Sequence, residues 1–274
     1  MASSPPSTKK TRTHPPYELL YHPGIPGRGE FIRLCLEGAS IPYTDLAVEQ
    51  KNGYAEVQRV CMDGSKDESD AGNPPVFAPP ALRVKGGKSD GGTLVISQTP
   101  NVLSYLGPRV GMAGREERGE EQYLVAEVAL TALDLANEVH DSHHPIAVGL
   151  YYEEQKAESV KKARDVRGNR IPKFLGYFSR TLRFNAANGG GGGRYLVGDR
   201  LTYADTTVWQ VLDGLMFAFP REMAARKGEF EELLGAFYEG VREEKGIKEY
   251  LASGRRMEYS MGLFRKYPEL DRQE

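Results

Sequence analysis

Tyr21 closes a short apolar run, Leu19-Leu20, and is followed by His22-Pro23-Gly24-Ile25-Pro26-Gly27-Arg28-Gly29-Glu30 and then by the helical pattern Phe31 to Leu36. That order predicts a strand, a Pro/Gly turn and an amphipathic helix, with a phenol left at the mouth of the strand-to-helix loop. The N–H groups and positive dipole end of such a helix favour an anion, and a phenol beside them can donate a hydrogen bond to a thiolate. Tyr17, at the start of the same strand, is the rival phenol. A second strand and helix, Leu94 to Gly107, flank the polar pair Gln98-Thr99. A hydroxyl and an N–H at a helix start suit a carboxylate, and Pro100 just inside that helix needs no N–H.

Other chemistry-bearing residues read more plainly. His140 and His144 of His140-Asp141-Ser142-His143-His144 could share a helix face, but Pro145 ends the helix there. No further Cys or His stands at ligand spacing, and structural zinc takes four protein ligands, so no metal is expected. Cys35 and Cys61, the only two cysteines, read as reduced thiols in a reducing compartment, Cys35 in a helical core stripe. Gly189 to Gly193 reads as a flexible surface insertion, because no Lys-Ser/Thr pair follows to make a phosphate cradle. The runs Arg115 to Glu121 and Arg242 to Lys245 read as solvated helix faces.

The elements that must position these groups fall into two sets. The 274 residues suffice for two modest domains, and 39% apolar and 27% charged residues describe a globular chain. A net charge of -2 gives no field to recruit nucleic acid or an anionic membrane, and no apolar run is long enough to span a bilayer. Residues 1–14 lack a signal-type apolar segment and read as a disordered tail on a cytoplasmic protein. Up to residue 108 the pattern is βαβαββα: a strand at Leu19-Leu20, helix Phe31 to Leu36, strand Tyr43 to Val48, a polar helix Tyr54 to Val60, a loop Met62 to Asn73, strands Ala81 to Val84 and Thr93 to Ile96, and the helix opened by Thr99-Pro100. From residue 115 strand signals vanish. Helices are expected over Glu117 to Val139, Tyr151 to Arg167 and Arg170 to Asn185, and Thr202 with Asp205 forms a capping box before a long apolar helix, with Leu201 as its staple.

In this order the motifs resemble the cytosolic glutathione transferases, with a thioredoxin-like α/β domain over 15–108 and an all-α domain over 115–267. The resemblance rests on Tyr21 before Gly27-Arg28-Gly29-Glu30, on Pro79-Pro80-Ala81-Leu82, on Gln98-Thr99, and on Thr202 to Asp205 after Leu196-Val197-Gly198-Asp199. Ile247 to Arg256 is similar to the closing helix of that family. The position of Tyr21 is similar to the tyrosine-type branch (sigma, pi, mu), in which the phenol donates to the glutathione sulfur; Tyr17 is then structural.

The resemblance implies glutathione as co-substrate, an apolar electrophile as second substrate, and a homodimer. Gln98 and Thr99 would hold the γ-glutamyl end, with Thr99 standing where Ser is usual, and Arg28 would support the thiolate electrostatically. Pro79 or Pro80 would follow a cis bond beside the cysteinyl part. Tyr54 and Arg59 would replace the usual Trp and Lys at the glycyl carboxylate, and Asp134 of a partner subunit, or else Glu138 one turn later, would reach the γ-glutamyl amine. The implied activity is conjugation; a glutathione-dependent isomerase or peroxidase, or a non-catalytic carrier or assembly module, would share the same residues.

Overall fold

The structure is a computed structural model describing residues 14–188 and 191–273. Expectations for residues 1–13 and for Gly189 and Gly190 lie outside the described residues. Within them, β1 (Tyr17–Leu20), α1 (Gly29–Gly38), β2 (Thr44–Asp45), α2 (Leu46–Glu49), α3 (Gly53–Cys61), β3 (Ala81–Val84), β4 (Leu94–Ser97) and α4 (Thr99–Val110) come first. The strands form one sheet in the order β2-β1-β3-β4. β1 runs parallel to β2, as a helical crossover requires, and antiparallel to β3, while β3 and β4 form an antiparallel pair. This is the thioredoxin-like arrangement.

Everything after is helical among the described residues: α5 (Glu121–Asp141), α6 (Lys156–Asp165), α7 (Ile171–Ala187), α8 (Tyr203–Ala218), α9 (Pro220–Arg226), α10 (Tyr238–Arg242) and α11 (Lys245–Ala252). α8 is buried on nearly every side, which explains its almost uninterrupted apolar sequence. It packs on α5 and on α1, so the helix that follows Tyr21 is held between the sheet and the second half. The two buried cysteines, Cys35 and Cys61, are free thiols.

Four expectations need correcting. The second strand is only Thr44–Asp45, because Leu46–Glu49 turns helical and Glu49 folds back to accept the Asp45 N–H at 2.8 Å. The helix expected from Glu117 starts at Glu121, whose carboxylate accepts the Arg115 N–H at 2.7 Å and pairs with Arg118 at 3.0 Å. Glu121 is therefore a buried, partnered group and not part of a solvated face. The separate helices expected on either side of Gly168 are joined through one π turn, Val166–Arg170, between α6 and α7.

The capping box forms as expected. Asp205 is fully buried and accepts the Thr202 N–H, the Thr202 hydroxyl and the Leu196 N–H, each at 2.8 Å. It joins the start of α8 to the turn before it. Asp205→Ala orphans two buried N–H groups, at about 1–3 kcal/mol each. A loss of about 3 kcal/mol in stability, read from the denaturant midpoint at unchanged slope, is the expected outcome.

Candidate active site

The turn after β1 seats Tyr21 tightly. The ring is buried, and a Cβ added at Gly27 or Gly29 would lie 2.2 Å from its hydroxyl or 2.6 Å from Cδ1, so only glycines fit around it. Gly27 also takes φ +44°, a conformation that side chains disfavour. The Tyr21 hydroxyl accepts the Arg28 N–H at 2.8 Å. Burial pushes its pKa above the ordinary 10, while the Arg28 N–H and the charges of Arg28 and Arg33 pull the other way. The phenol thus stays protonated at neutral pH. With one lone pair taken by Arg28, its own proton is left for a group in the cavity.

The same peptide segment reaches the second motif. Thr99 donates its hydroxyl to the Arg28 carbonyl at 3.4 Å, so Arg28 joins Tyr21 through its N–H and Thr99 through its C=O. Gln98, just before α4, has φ +70°, a strained setting for a residue with a Cβ. Such strain costs about 1–3 kcal/mol and gathers at functional sites. The peptide between Pro79 and Pro80 is cis, so of the two alternatives the bond precedes Pro80.

Two adjoining cavities share Arg28 and Pro79. The larger, about 600 Å³, also takes in Tyr21, Tyr54 and His22. The smaller, about 360 Å³, runs past Pro80, Gln98 and Thr99 to Leu133 and Asp134 of the same chain. Seven of the nine expected residues therefore converge: Tyr21, Arg28, Tyr54, Pro79, Pro80, Gln98 and Thr99; Asp134 lines the smaller cavity too, but from the same chain and not from a partner subunit as the resemblance implies.

Arg59 does not join them. Five residues after Tyr54, it stands well round α3 from it, where it meets Glu56 at 2.7 Å and Asp70 at 3.1 Å. Its hydrogen bonds are the largest cause holding the Glu56 carboxyl down at about 2. Tyr17 is also absent from the cavities; its ring is buried in the core, as a structural tyrosine would be.

Sequence reasoning missed part of the wall. His22 Nδ1 lies 3.2 Å from the Tyr54 hydroxyl, and its place beside Tyr21 could have singled it out. His140, Met261, Leu263 and Arg265 also line the larger cavity. The last three lie on an irregular segment after α11, which carries no periodic signal. That segment is tied down by buried His143, whose Nε2 lies 3.2 Å from the Leu263 carbonyl oxygen.

A sheet of this topology followed by a helical second half defines a thioredoxin-like α/β domain with an all-α companion, and Tyr21 and the Gln98-Thr99 helix start line its two adjoining cavities. Comparisons with known proteins agree. Residues 140–254 match the family described as "Glutathione S-transferase, C-terminal domain". A glutathione S-transferase of Plasmodium falciparum is 25% identical over 241 residues, covering 88% of this chain and 98% of its own. The sigma class enzyme of Fasciola hepatica superposes with a TM-score of 0.62 at 20% identity, over 88% of this chain and 98% of that one. The pi-class enzyme of Onchocerca volvulus gives 0.58 at 20%, over 86% and 92%. By sequence in its second half, and by fold over most of its length, the chain is similar to the glutathione S-transferases.

The close packing around Tyr21 is itself testable. In Gly29→Ala the new methyl collides with the ring, so either the phenol or α1 must shift. Overpacking of this kind costs about 1–3 kcal/mol, and the displaced phenol should also lower turnover with glutathione. Thermal unfolding and a turnover assay on the same sample check both effects.

Proposed function

We propose that the protein is a glutathione transferase in which Tyr21 stabilises the glutathione thiolate for attack on an apolar electrophile. The observation that carries this reading is the double use of the Arg28 backbone, whose N–H meets the Tyr21 phenol and whose C=O meets Thr99, between two adjoining cavities. Gln98, Thr99 and the N–H groups opening α4 receive the γ-glutamyl carboxylate. Pro79 has no N–H, so at this position only its carbonyl is available to the cysteinyl backbone. Tyr54 and Arg28 serve the remaining polar end, and Ile25, Met261 and Leu263 give the larger cavity an apolar wall for the electrophile.

The chemistry follows from the protonation states. A free thiol with a pKa of about 8.5 is only a few per cent thiolate near neutrality, and the thiolate is the nucleophile. A hydrogen bond to a charged acceptor is worth about 1.5–3 kcal/mol, or roughly one to two pKa units at 1.36 kcal/mol each. That raises the thiolate from a few per cent to roughly a quarter to three quarters at pH 7, its proton having gone to water. The sulfur then forms a bond to the electrophilic carbon, and either the displaced group leaves with its bonding electron pair or the π pair of an activated double bond shifts onto the activating group and takes a proton from water.

A homodimer belongs to the same reading. Phe77 is 90% exposed beside the smaller cavity. A pocket of about 320 Å³ between α5 and α7, walled by Leu124, Val128, Tyr177 and Phe184, is of a size to take a phenyl ring. A second copy would cover both, and Asp134, exposed on α5, would then lie near the joint.

Tyr21→Phe should lower kcat/KM for a chromogenic aryl halide about 10- to 100-fold at pH 7, with glutathione binding retained in calorimetry. In the wild type, kcat/KM should rise through the thiol's lowered pKa and hold to high pH, because the phenol titrates above its usual value. In the variant that rise should move up toward the free-thiol range. Undiminished activity would place sulfur activation elsewhere, and binding without turnover in the wild type would favour the carrier reading. Phe77→Asp should convert a dimer to a monomer in light scattering.

A further inference from the structure

Beyond the conjugation chemistry, His140, His143 and His144 form a compact trio where α5 ends. Each pair of rings has centroids 5.0 Å apart, His140 stacked on His144 and His143 edge-on to both. One ring nitrogen from each lies within 4.8 Å of the others, and this is the one cluster of three such groups found among the described residues. The helix ends at Asp141, as the sequence suggested, yet the turn after it brings His143 in as a third member.

The surroundings resemble those of metal-ligating imidazoles, which donate the second ring N–H to a carboxylate or carbonyl and keep the other nitrogen as a ligand. His140 Nδ1 lies 3.5 Å from the Asp141 carboxylate, and His143 Nε2 lies 3.2 Å from the Leu263 carbonyl. His144 differs: its ring bonds the Leu150 carbonyl and its Nδ1 lies 3.3 Å from the Gln155 amide nitrogen, so it must give up one of these contacts to ligate. The remaining nitrogen of buried His143, Nδ1, has no hydrogen-bond partner. A buried, unpaired acceptor costs free energy unless something fills its lone pair.

We propose that His140, His143 and His144 bind one divalent transition-metal ion such as Zn²⁺ just past the end of α5, where His140 also lines the cavity that holds Tyr21. Three imidazoles with an open fourth position are a known ligand set for zinc. Zn–N bonds of about 2.0–2.1 Å need the nitrogens closer than they stand, so the rings must turn inward on binding. Arg28 and Arg265, whose charges act on these rings, oppose a dication, and Asp141 partly offsets them. Affinity in the micromolar class is the expectation.

The test uses the full chain without a histidine tag, stripped by a chelator and titrated calorimetrically with Zn²⁺, and with Co²⁺ as an optical probe. One equivalent should bind, Co²⁺ should show intense visible bands of a tetrahedral site, and Zn²⁺ should raise the unfolding midpoint. His140→Ala and His144→Ala, at partly exposed positions, should each weaken binding about tenfold or more, and the double variant should lose both the bands and the midpoint shift while keeping its circular dichroism. No saturable binding by the wild type, or equal binding by the folded double variant, overturns the proposal.

Discussion

The buried carboxylate of Glu30 is the constraint on which the rest of the molecule depends. It is fully buried near the start of α1, yet it accepts the Tyr250 hydroxyl at 3.2 Å, Arg256 Nε at 3.1 Å and Arg33 Nη1 at 3.2 Å. Arg33 continues to Asp45 at 2.7 Å and to the Pro26 carbonyl at 3.1 Å. Arg256 continues to Gln210 and Asp213, each at 2.8 Å. One acid thus ties the first helix, the second strand, the turn behind Tyr21, α8 and the end of α11 together. Removing a partner from such a network leaves an uncompensated buried charge, which costs about 3–5 kcal/mol. The geometry is over-determined for that reason.

What the network positions is a turn and not a side-chain array. α1 is fixed against α8 and α11, so its N-terminal peptide groups stand still. Gly27 and Gly29 let the Tyr21 ring lie against them, and the Arg28 N–H takes one lone pair of the phenol. Arg28 was expected to act through its charge; its backbone does as much, by linking the phenol to Thr99. The electrostatic logic is consistent throughout: burial keeps Tyr21 protonated as a donor, and the helix starts of α1 and α4 offer N–H groups to negative charge.

Much of this was legible in the chain. The strands Ala81–Val84 and Leu94–Ser97, the Thr99 helix start and the Thr202–Asp205 box follow from short apolar runs around a Gly-rich turn, a Pro at a tolerated position and a reciprocal cap. These signals depend only on near neighbours. The misses have a common cause in side-chain partners that the hydrophobic pattern does not register. Val48 has a strand-former's side chain but lies in a helical turn, because the neighbouring Asp45 is claimed by Arg33 and its N–H by Glu49. Arg59 carries the right charge for a carboxylate, but Glu56 and Asp70 of its own chain take it first.

By itself, the sequence determined the element types, the division between a sheet-bearing first half and a helical second half, and the turn chemistry around Tyr21, since each is written in spacings of a few residues. Tertiary structure alone decided which distant groups share the cavity wall. His143 reaches Leu263 across 120 residues, and Tyr250 reaches Glu30 across 220. No local pattern encodes such meetings. They arise because α1 must bury its apolar face against α8 and its one buried carboxylate must find cations and hydroxyls, and the only packing that satisfies both brings the end of the chain back over the beginning.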